Sequence, residues 1–172
     1  TGAARRIWVQ APLAFSAGLP LLLTGDTLKT WLATEDVGID TIAHQSALQA
    51  GLPTVAIPGS GLSRSVLHPS SNKKLADEIV ESGGALLSEF PPDYPAGLHT
   101  FPRRNRIMAG LAKGVLIIEA GDKSGTLITA KLATDYNRDV LAIPGSIFSA
   151  GSLGTNNLIK LGATPVCSGR DL

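Results

Sequence analysis

The sequence contains a single cysteine, Cys167, among 172 residues. One thiol excludes an internal disulfide and a cysteine-rich metal site, and it favours a reducing cytoplasm. Lysine and arginine exceed aspartate and glutamate by only one charge. Bulk basicity therefore cannot drive nucleic-acid binding, and any such binding must come from local clustering of charge. No stretch reaches the roughly 18 apolar residues that a membrane-spanning helix needs, so no membrane partner is predicted.

The composition is that of a globular protein. Hydrophobic residues make up 44% of the chain and charged residues 17%, which is too apolar for a disordered protein. A length of 172 residues suits one domain whose core removes about 70% of the unfolded surface from water.

From residue 38 onward, short apolar runs alternate with segments whose apolar residues recur at helical spacing. The segment "KKLADEIVESGG" at 73–84 is amphipathic and ends in a glycine pair that stops a helix. The pattern predicts strands at 54–61, 85–90, 114–121 and 140–146, helices at 73–84, 127–139 and 155–163, and an edge strand at 164–166. This alternation predicts an α/β fold with a doubly wound, mostly parallel, Rossmann-like sheet. Residues 1–37 have no clear period, and only 19–25 suggests a strand.

Glycine and hydroxyl residues follow the predicted strands, at the edge where doubly wound folds bind ligands. The loop Lys123-Ser124-Gly125-Thr126 lies between a strand that ends at Glu119 and a helix. A helix start offers unpaired N–H groups and the positive end of the helix dipole, which suit a phosphate oxygen. The alternative is a plain helix start capped by Ser124 or Thr126. The GxxxxGK[ST] spacing of a P-loop is missing.

Two further turns are candidate anion loops. The phrase "AIPGS" occurs at 56–60 and again at 142–146, and we interpret it as two strand ends that make the same turn. The residues expected to approach a phosphate there are Gly59, Ser60, Gly61, Gly145 and Ser146.

The stretch "FPRRNR" at 101–106 concentrates positive charge at one point. The apolar residues "IMAGL" follow at once and must be buried, so the three guanidiniums cannot all lie on one solvated face. Guanidiniums on a rigid helix start beside an aromatic ring suit a nucleic-acid backbone with exposed bases. The alternative is a solvated helix start that pairs with acids such as Asp93, and one arginine can be structural. The candidate binding residues are Phe101, Arg103, Arg104, Asn105 and Arg106.

Other titratable residues have simpler explanations. Asp40 and His44 lie four apart on a predicted helix, without a Ser or Cys nucleophile, so we expect a capping aspartate and a core-facing histidine. Glu89 and Glu119 end predicted strands, and we expect them to bind neighbouring backbone or arginines rather than a metal or a ribose hydroxyl. No set of residues has the spacing of a metal site. Neither a catalytic residue nor a cofactor is predicted.

Four segments together resemble the DNA-processing protein A (DprA/Smf) family. They are "GIDTIAHQSAL", "GGALLSEFPP", "FPRRNRIMAGLAKGVLIIEAGDKSGTLITAKLA" and "LAIPGSIFSAGSLGTNNLIKLGA", in the family's order and at its spacing over residues 38 to about 168.

The resemblance implies an extended Rossmann fold in a cytoplasmic homodimer that binds single-stranded DNA without catalysis. It also implies protection of incoming strands and help in loading the recombinase RecA during natural transformation. By the same resemblance, the three arginines and Phe101 line or support a basic pocket, with Lys123, Ser124 and Thr126 beside it.

The sequence departs from the family at its N-terminal side. The family's VGxR loop has no counterpart in 1–37, and "LATEDVGID" stands where the family has an SGxAxGID strand end. The expected organisation is an atypical segment, 1–37, and a Rossmann domain, 38–172, without its usual first unit and winged-helix tail. Because the missing arginine belongs to the family's DNA pocket, we expect weaker DNA binding than in a complete relative.

Two other functions are kept as alternatives. The lysine-decarboxylase-like phosphoribohydrolases are nucleotide-binding Rossmann enzymes with a PGGxGTxxE-like loop. Here "SGTLITAKLA" lacks the double glycine and has Ala130 or Lys131 where a catalytic acid is needed. The unusual residues 1–37 also fit a non-functional remnant produced by a frameshift or a truncated gene.

Overall fold

The computed structural model describes residues 38–172, so the predicted strand at 19–25 lies outside the described residues. Five α-helices alternate with five short strands in this part of the chain. The helices are α1 (Ile39–Gln49), α2 (Lys73–Glu81), α3 (Thr100–Leu111), α4 (Thr126–Asp135) and α5 (Leu153–Lys160). The strands are β1 (Val55–Ala56), β2 (Ala85–Leu86), β3 (Gly114–Ile117), β4 (Asp139–Ala142) and β5 (Thr164–Pro165). None of these helices is long and apolar enough to cross a lipid bilayer.

The strand pairs are all parallel, which confirms the predicted fold class. β1 pairs with β2 so that Val55 lies opposite Ala85. β4 lies between β3 and β5, with Gly114 opposite Asp139 and the start of β5 opposite Leu141. Within 38–172 the strands form two separate sheets, of two and three strands, because no described strand joins β1 to β3.

Two predicted strands are much shorter than expected. The apolar runs at 54–61 and 85–90 each contribute two residues to the β1–β2 ladder. Soon after β1 comes Pro58, which has no N–H for a ladder, and the Ser88 hydroxyl donates to the carbonyl oxygen of Ser60 at 2.7 Å. The rest of each run forms a loop beyond the carboxyl end of its strand.

The core lies on both faces of β3, whose residues are all buried. On one face Val115 and Ile117 pack with small residues of α3 and α4, including Ala109 and Ala130. On the other face Leu116 and Ile118 pack with Val166, Ile39 and Leu141. Alternate residues of one strand thus face two apolar layers, as a doubly wound sheet requires.

Four of the five described helices end in a residue with positive φ, which closes the chain into a tight turn. In α1, the N–H of Gly51 (φ 67°) donates to Leu48 and the N–H of Leu52 donates to Ala47. This bond pair is the Schellman motif, in which glycine is favoured because it has no Cβ. The glycine pair predicted to stop α2 does so at Gly83. The short turns at the amino ends of the strands leave the long loops at the opposite edge.

Candidate nucleic-acid interface

The long loops of the fold follow the carboxyl ends of the strands. α3 begins after β2, α4 begins after β3, and these two helices pack against each other. Ligands of α/β sheets bind at this edge because loops and helix starts converge there. The residues predicted to bind an anion all lie in these loops or in the first turns of α3 and α4.

Two of the three clustered arginines share one glutamate. Arg106 Nη2 donates to Glu89 Oε2, and Arg103 Nη2 lies 3.7 Å from the same oxygen. The arginine side chains are 51% and 59% exposed, whereas that of Glu89 is 17% exposed. The prediction that Glu89 binds arginines is therefore confirmed, and the paired acid is Glu89 rather than Asp93. Both arginines are thus held beside Glu89 with about half of each side chain exposed to solvent.

The third arginine, Arg104, turns inward. Its Nη1 donates to the backbone oxygen of Ile57 at the end of β1, and its guanidinium lies 5.9 Å from the centre of the Phe101 ring. Burial lowers the pKa of Arg104, and the nearby Asp40 carboxylate opposes that change. Its Nε is buried without a hydrogen-bond partner among the described residues. Arg104 is the structural member of the cluster, and it ties α3 to β1.

Aromatic side chains outside the predicted set hold Arg103. Its guanidinium lies 5.3 Å from the centre of the Phe90 ring, within the range of a cation–π interaction. Phe90 stacks on Tyr94 with centroids 5.4 Å apart, and the Tyr94 hydroxyl is 3.1 Å from His99 Nε2. Phe90, Tyr94 and His99 were not predicted as site residues from the sequence. Their signal was the spacing of aromatic residues among the prolines and glycine that precede α3.

The remaining predicted residues of this helix start are less exposed than the two outer arginines. Phe101 and Asn105 are half-buried. The Phe101 ring lies edge-on to His68, with centroids 6.1 Å apart, and a Cβ placed on Gly59 would approach its Cδ1 to 2.7 Å. Phe101 therefore packs over the turn after β1 and leaves only part of its ring for a ligand.

The first candidate anion loop is packed inside the protein. Gly59, Ser60 and Gly61 are all buried. The Ser60 hydroxyl donates to the oxygen of Gly61 at 3.0 Å, and the N–H of Gly61 donates to Tyr94 at 2.8 Å. These two donors are engaged within the protein, so the three residues do not offer them to an anion. The three residues instead hold the segment that leads into α3.

The second candidate turn is open to solvent. Gly145 and Ser146 are exposed. The N–H of Gly145 donates to Asn156 Oδ1 at 3.2 Å, and Asn156 Nδ2 donates back to the oxygen of Gly145 at 3.0 Å. This bond pair fastens the turn to α5.

The loop before α4 has a different cap from the one expected. The N-cap residue is Gly125, which has no side chain to bond. Ser124 lies one position earlier, where its hydroxyl accepts from the N–H of Thr126 at 3.3 Å and donates to Thr126 Oγ1 at 3.0 Å. Lys123 and Gly125 are exposed, so the helix start and one ammonium face solvent.

The pair on α1 also differs in part from expectation. The N-cap of α1 is Gly38, and Asp40 lies in the first turn without capping it, so the prediction of a capping aspartate is wrong. His44 is half-buried and its Nδ1 lies 2.8 Å from Thr54 Oγ1, as a core-facing histidine should. Burial lowers the pKa of His44, with Asp40 opposing and Arg104 reinforcing the shift. Within 38–172, no three histidine, cysteine or acidic side chains gather into a metal-binding group.

Comparison with known proteins identifies the family. Residues 35–172 match the DNA recombination-mediator protein A family. This chain belongs to that family. The match covers the arginine helix, the loop before α4 and the turn after β4.

Alignments with individual DprA/Smf proteins show what share of those proteins this chain spans. The chain is 47% identical over 143 residues to protein Smf of Escherichia coli, covering 83% of this chain and 37% of that protein. It is 48% identical over 136 residues to DNA processing protein DprA of Streptococcus pneumoniae, covering 78% of this chain and 47% of that protein. The chain thus spans less than half the length of either relative.

Solved DprA structures have the same fold. The Streptococcus pneumoniae structure superposes with a TM-score of 0.71 at 48% identity, covering 78% of this chain and 46% of that one. The Helicobacter pylori structure, solved in a study of how that protein binds single-stranded DNA, superposes with a TM-score of 0.70, covering 89% and 74%. At 24% identity the second likeness concerns the fold alone.

The start of α4 has no carboxylate where a phosphoribohydrolase would need its catalytic acid. The first turn of α4 contains no carboxylate. Ala130 is 1% exposed, and Lys131 pairs with Asp135 at 3.2 Å. Both positions considered for a catalytic acid are thus occupied by residues that pack or pair within α4.

Proposed function

We propose that this DprA/Smf chain binds single-stranded DNA, without catalysis, in DNA uptake and recombination. The observation that carries the proposal is the pair Arg103 and Arg106, held on the first turns of α3 with about half of each side chain exposed. Two fixed guanidiniums suit the phosphates of a flexible strand because little side-chain freedom is lost on binding. Glu89 holds them without covering them.

The contacts divide by chemistry. Arg103, Arg106 and Lys123 bind phosphates, while Arg104 positions α3. At the helix start, the N–H of Gly125 and the helix dipole add to these contacts, while the N–H groups of Ser124 and Thr126 are bonded within the loop. The proposed surface also includes the open edge of Phe101, the amide of Asn105 and the exposed turn at Gly145 and Ser146.

The proposal also includes wider biological assignments, which family membership supports. They are protection of incoming strands, loading of RecA during natural transformation, a homodimeric state and a cytoplasmic location. The Streptococcus pneumoniae relative is named for DNA processing and the family for DNA recombination, which supports the recombination context.

The test is fluorescence anisotropy of a labelled oligo-dT titrated with the chain at several salt concentrations. Binding should weaken with salt, and Arg106→Ala and Lys123→Ala should each reduce the slope of log K against log [salt] by about 0.7, the value for one phosphate contact on a single strand. Lys160→Ala is the matched control, since Lys160 lies in the last turn of α5, away from the carboxyl edge, and should leave the slope unchanged. A folded chain that does not bind, or equal losses in all three variants, would contradict the proposal.

A further inference from the structure

The turn after β4 presents a bare aromatic ring. Phe148 is 93% exposed, and its neighbour Ile147 is 75% exposed. A single exposed apolar residue is ordinary on a protein surface, so the argument depends on the position of the ring and on the restrained backbone that carries it. The turn lies beyond the carboxyl end of β4, where α/β sheets bind ligands.

The turn is held by hydrogen bonds on both sides of the ring. The N–H of Phe148 donates to Ser146 Oγ at 3.2 Å, and the N–H of Ser149 donates to the oxygen of Ser146 at 3.0 Å. Together with the Gly145–Asn156 bond pair, these contacts restrain the backbone that carries Phe148. A platform that is ordered before binding loses less conformational entropy when a ligand stacks on it.

The residues that follow this turn are joined to the loop that carries Lys123. The N–H of Ala120 donates to the oxygen of Gly151 at 2.8 Å, and the N–H of Gly154 donates to the oxygen of Ala120 at 2.7 Å. The segment of Phe148 and the loop after β3 are thus adjacent. Phe148 and Lys123 therefore lie on neighbouring segments at the same edge of the sheet.

We propose that Phe148 is a stacking platform for a base of the single-stranded nucleic acid bound at the basic surface. The inference rests on the proposed function and adds a base contact to its phosphate contacts. Single-strand binding surfaces combine a positive track for the backbone with aromatic rings for the bases, and any base can stack because each has a π-face. Since a strand whose phosphates lie at Lys123 brings bases to the same edge, a base is the partner that fits this ring.

Substitutions within the turn separate stacking from apolar contact. Phe148→Ala should weaken oligo-dT binding roughly 5- to 150-fold, the range of one base–aromatic stack. Phe148→Trp should restore or exceed wild-type affinity, whereas Phe148→Leu should remain weak because it has no ring. Ile147→Ala is the matched control, and it should leave the affinity unchanged because that side chain is equally apolar but cannot stack.

A strand of the same length built from abasic nucleotides completes the test. Wild type and Phe148→Ala should bind it equally, since it retains the phosphates and lacks the bases. The inference is overturned if wild type binds oligo-dT and Phe148→Ala binds it equally well, or if Phe148→Leu retains full affinity. It is also overturned if Phe148→Ala changes the oligomeric state, measured by sedimentation velocity, and leaves oligo-dT binding unchanged. In that case the ring contacts a second copy of this chain and not a base. Absence of binding by folded wild type would remove the proposed function and this inference together.

Discussion

Gly61 joins the turn after β1 to the segment that leads into the arginine helix, and replacing it with alanine tests that joint. A Cβ at this position would lie 2.1 Å from the backbone oxygens of Pro91 and Pro92. An ordinary carbon–oxygen contact is about 3.3 Å, so the segment has to retreat by about 1.2 Å. The obstacle is backbone, which cannot rotate aside as a flexible side chain would.

The magnitude follows from what that retreat breaks. The N–H of Gly61 donates to Tyr94 at 2.8 Å, and the N–H of Ser63 donates to Pro92 at 2.9 Å. Lengthening either bond by about 1 Å removes it as a hydrogen bond, at about 0.5–1.5 kcal/mol each. Overpacking adds about 1–3 kcal/mol. Gly61→Ala should therefore destabilise the chain by about 2–6 kcal/mol.

Urea unfolding followed by circular dichroism measures this change, with Gly125→Ala as the control. A Cβ on Gly125 would meet nothing within 4 Å, and its φ of −57° suits alanine. That variant should change the free energy of unfolding by less than about 1 kcal/mol, because the lower entropy of alanine in the unfolded chain opposes its poorer fit at an N-cap. If Gly61→Ala unfolds at the same urea concentration as wild type, residues 91–94 yield without cost and the argument from backbone contact is refuted.

Three further changes test the fold around the site. Burial lowers the pKa of His44 below its ordinary 6.5, so its contribution to stability is complete above about pH 6.5 and is lost as the pH falls toward the folded-state value. His44→Gln should flatten the pH dependence of the unfolding free energy on the acid side of pH 6.5, and an unchanged slope would assign that dependence to another group. Leu116 is 1% exposed, and Leu116→Ala should lower the free energy of unfolding in urea by about 2–5 kcal/mol. A loss below about 1 kcal/mol would mean that the core layer around Val166 collapses into the cavity. Ser88→Ala removes the 2.7 Å bond to the oxygen of Ser60 and should cost about 1–2 kcal/mol, whereas wild-type stability would show that water replaces the hydroxyl.

The sequence by itself determined the class of the fold and the place of the charge. Apolar runs alternating with helical periods indicated parallel strands and intervening helices, because burial on a strand or a helix face has a local period. The apolar residues after Arg106 must be buried, and this indicated that the three arginines do not all lie on one solvated face. These signals lie within a few residues of one another, where chain geometry alone relates them.

Only the tertiary structure decided which arginine turns inward and which acid pairs with the other two. It also decided which of the two glycine turns is buried and which is exposed. Arg104 meets Ile57 across 47 positions, and Arg106 meets Glu89 across 17. The two "AIPGS" turns have the same sequence, yet Gly59 and Ser60 are buried while Gly145 and Ser146 are exposed. The difference comes from the segment 91–101, which packs over the first turn, whereas no comparable segment among residues 38–172 buries the second turn. Burial depends on which distant segment covers a turn, and a local pattern carries no information about that segment.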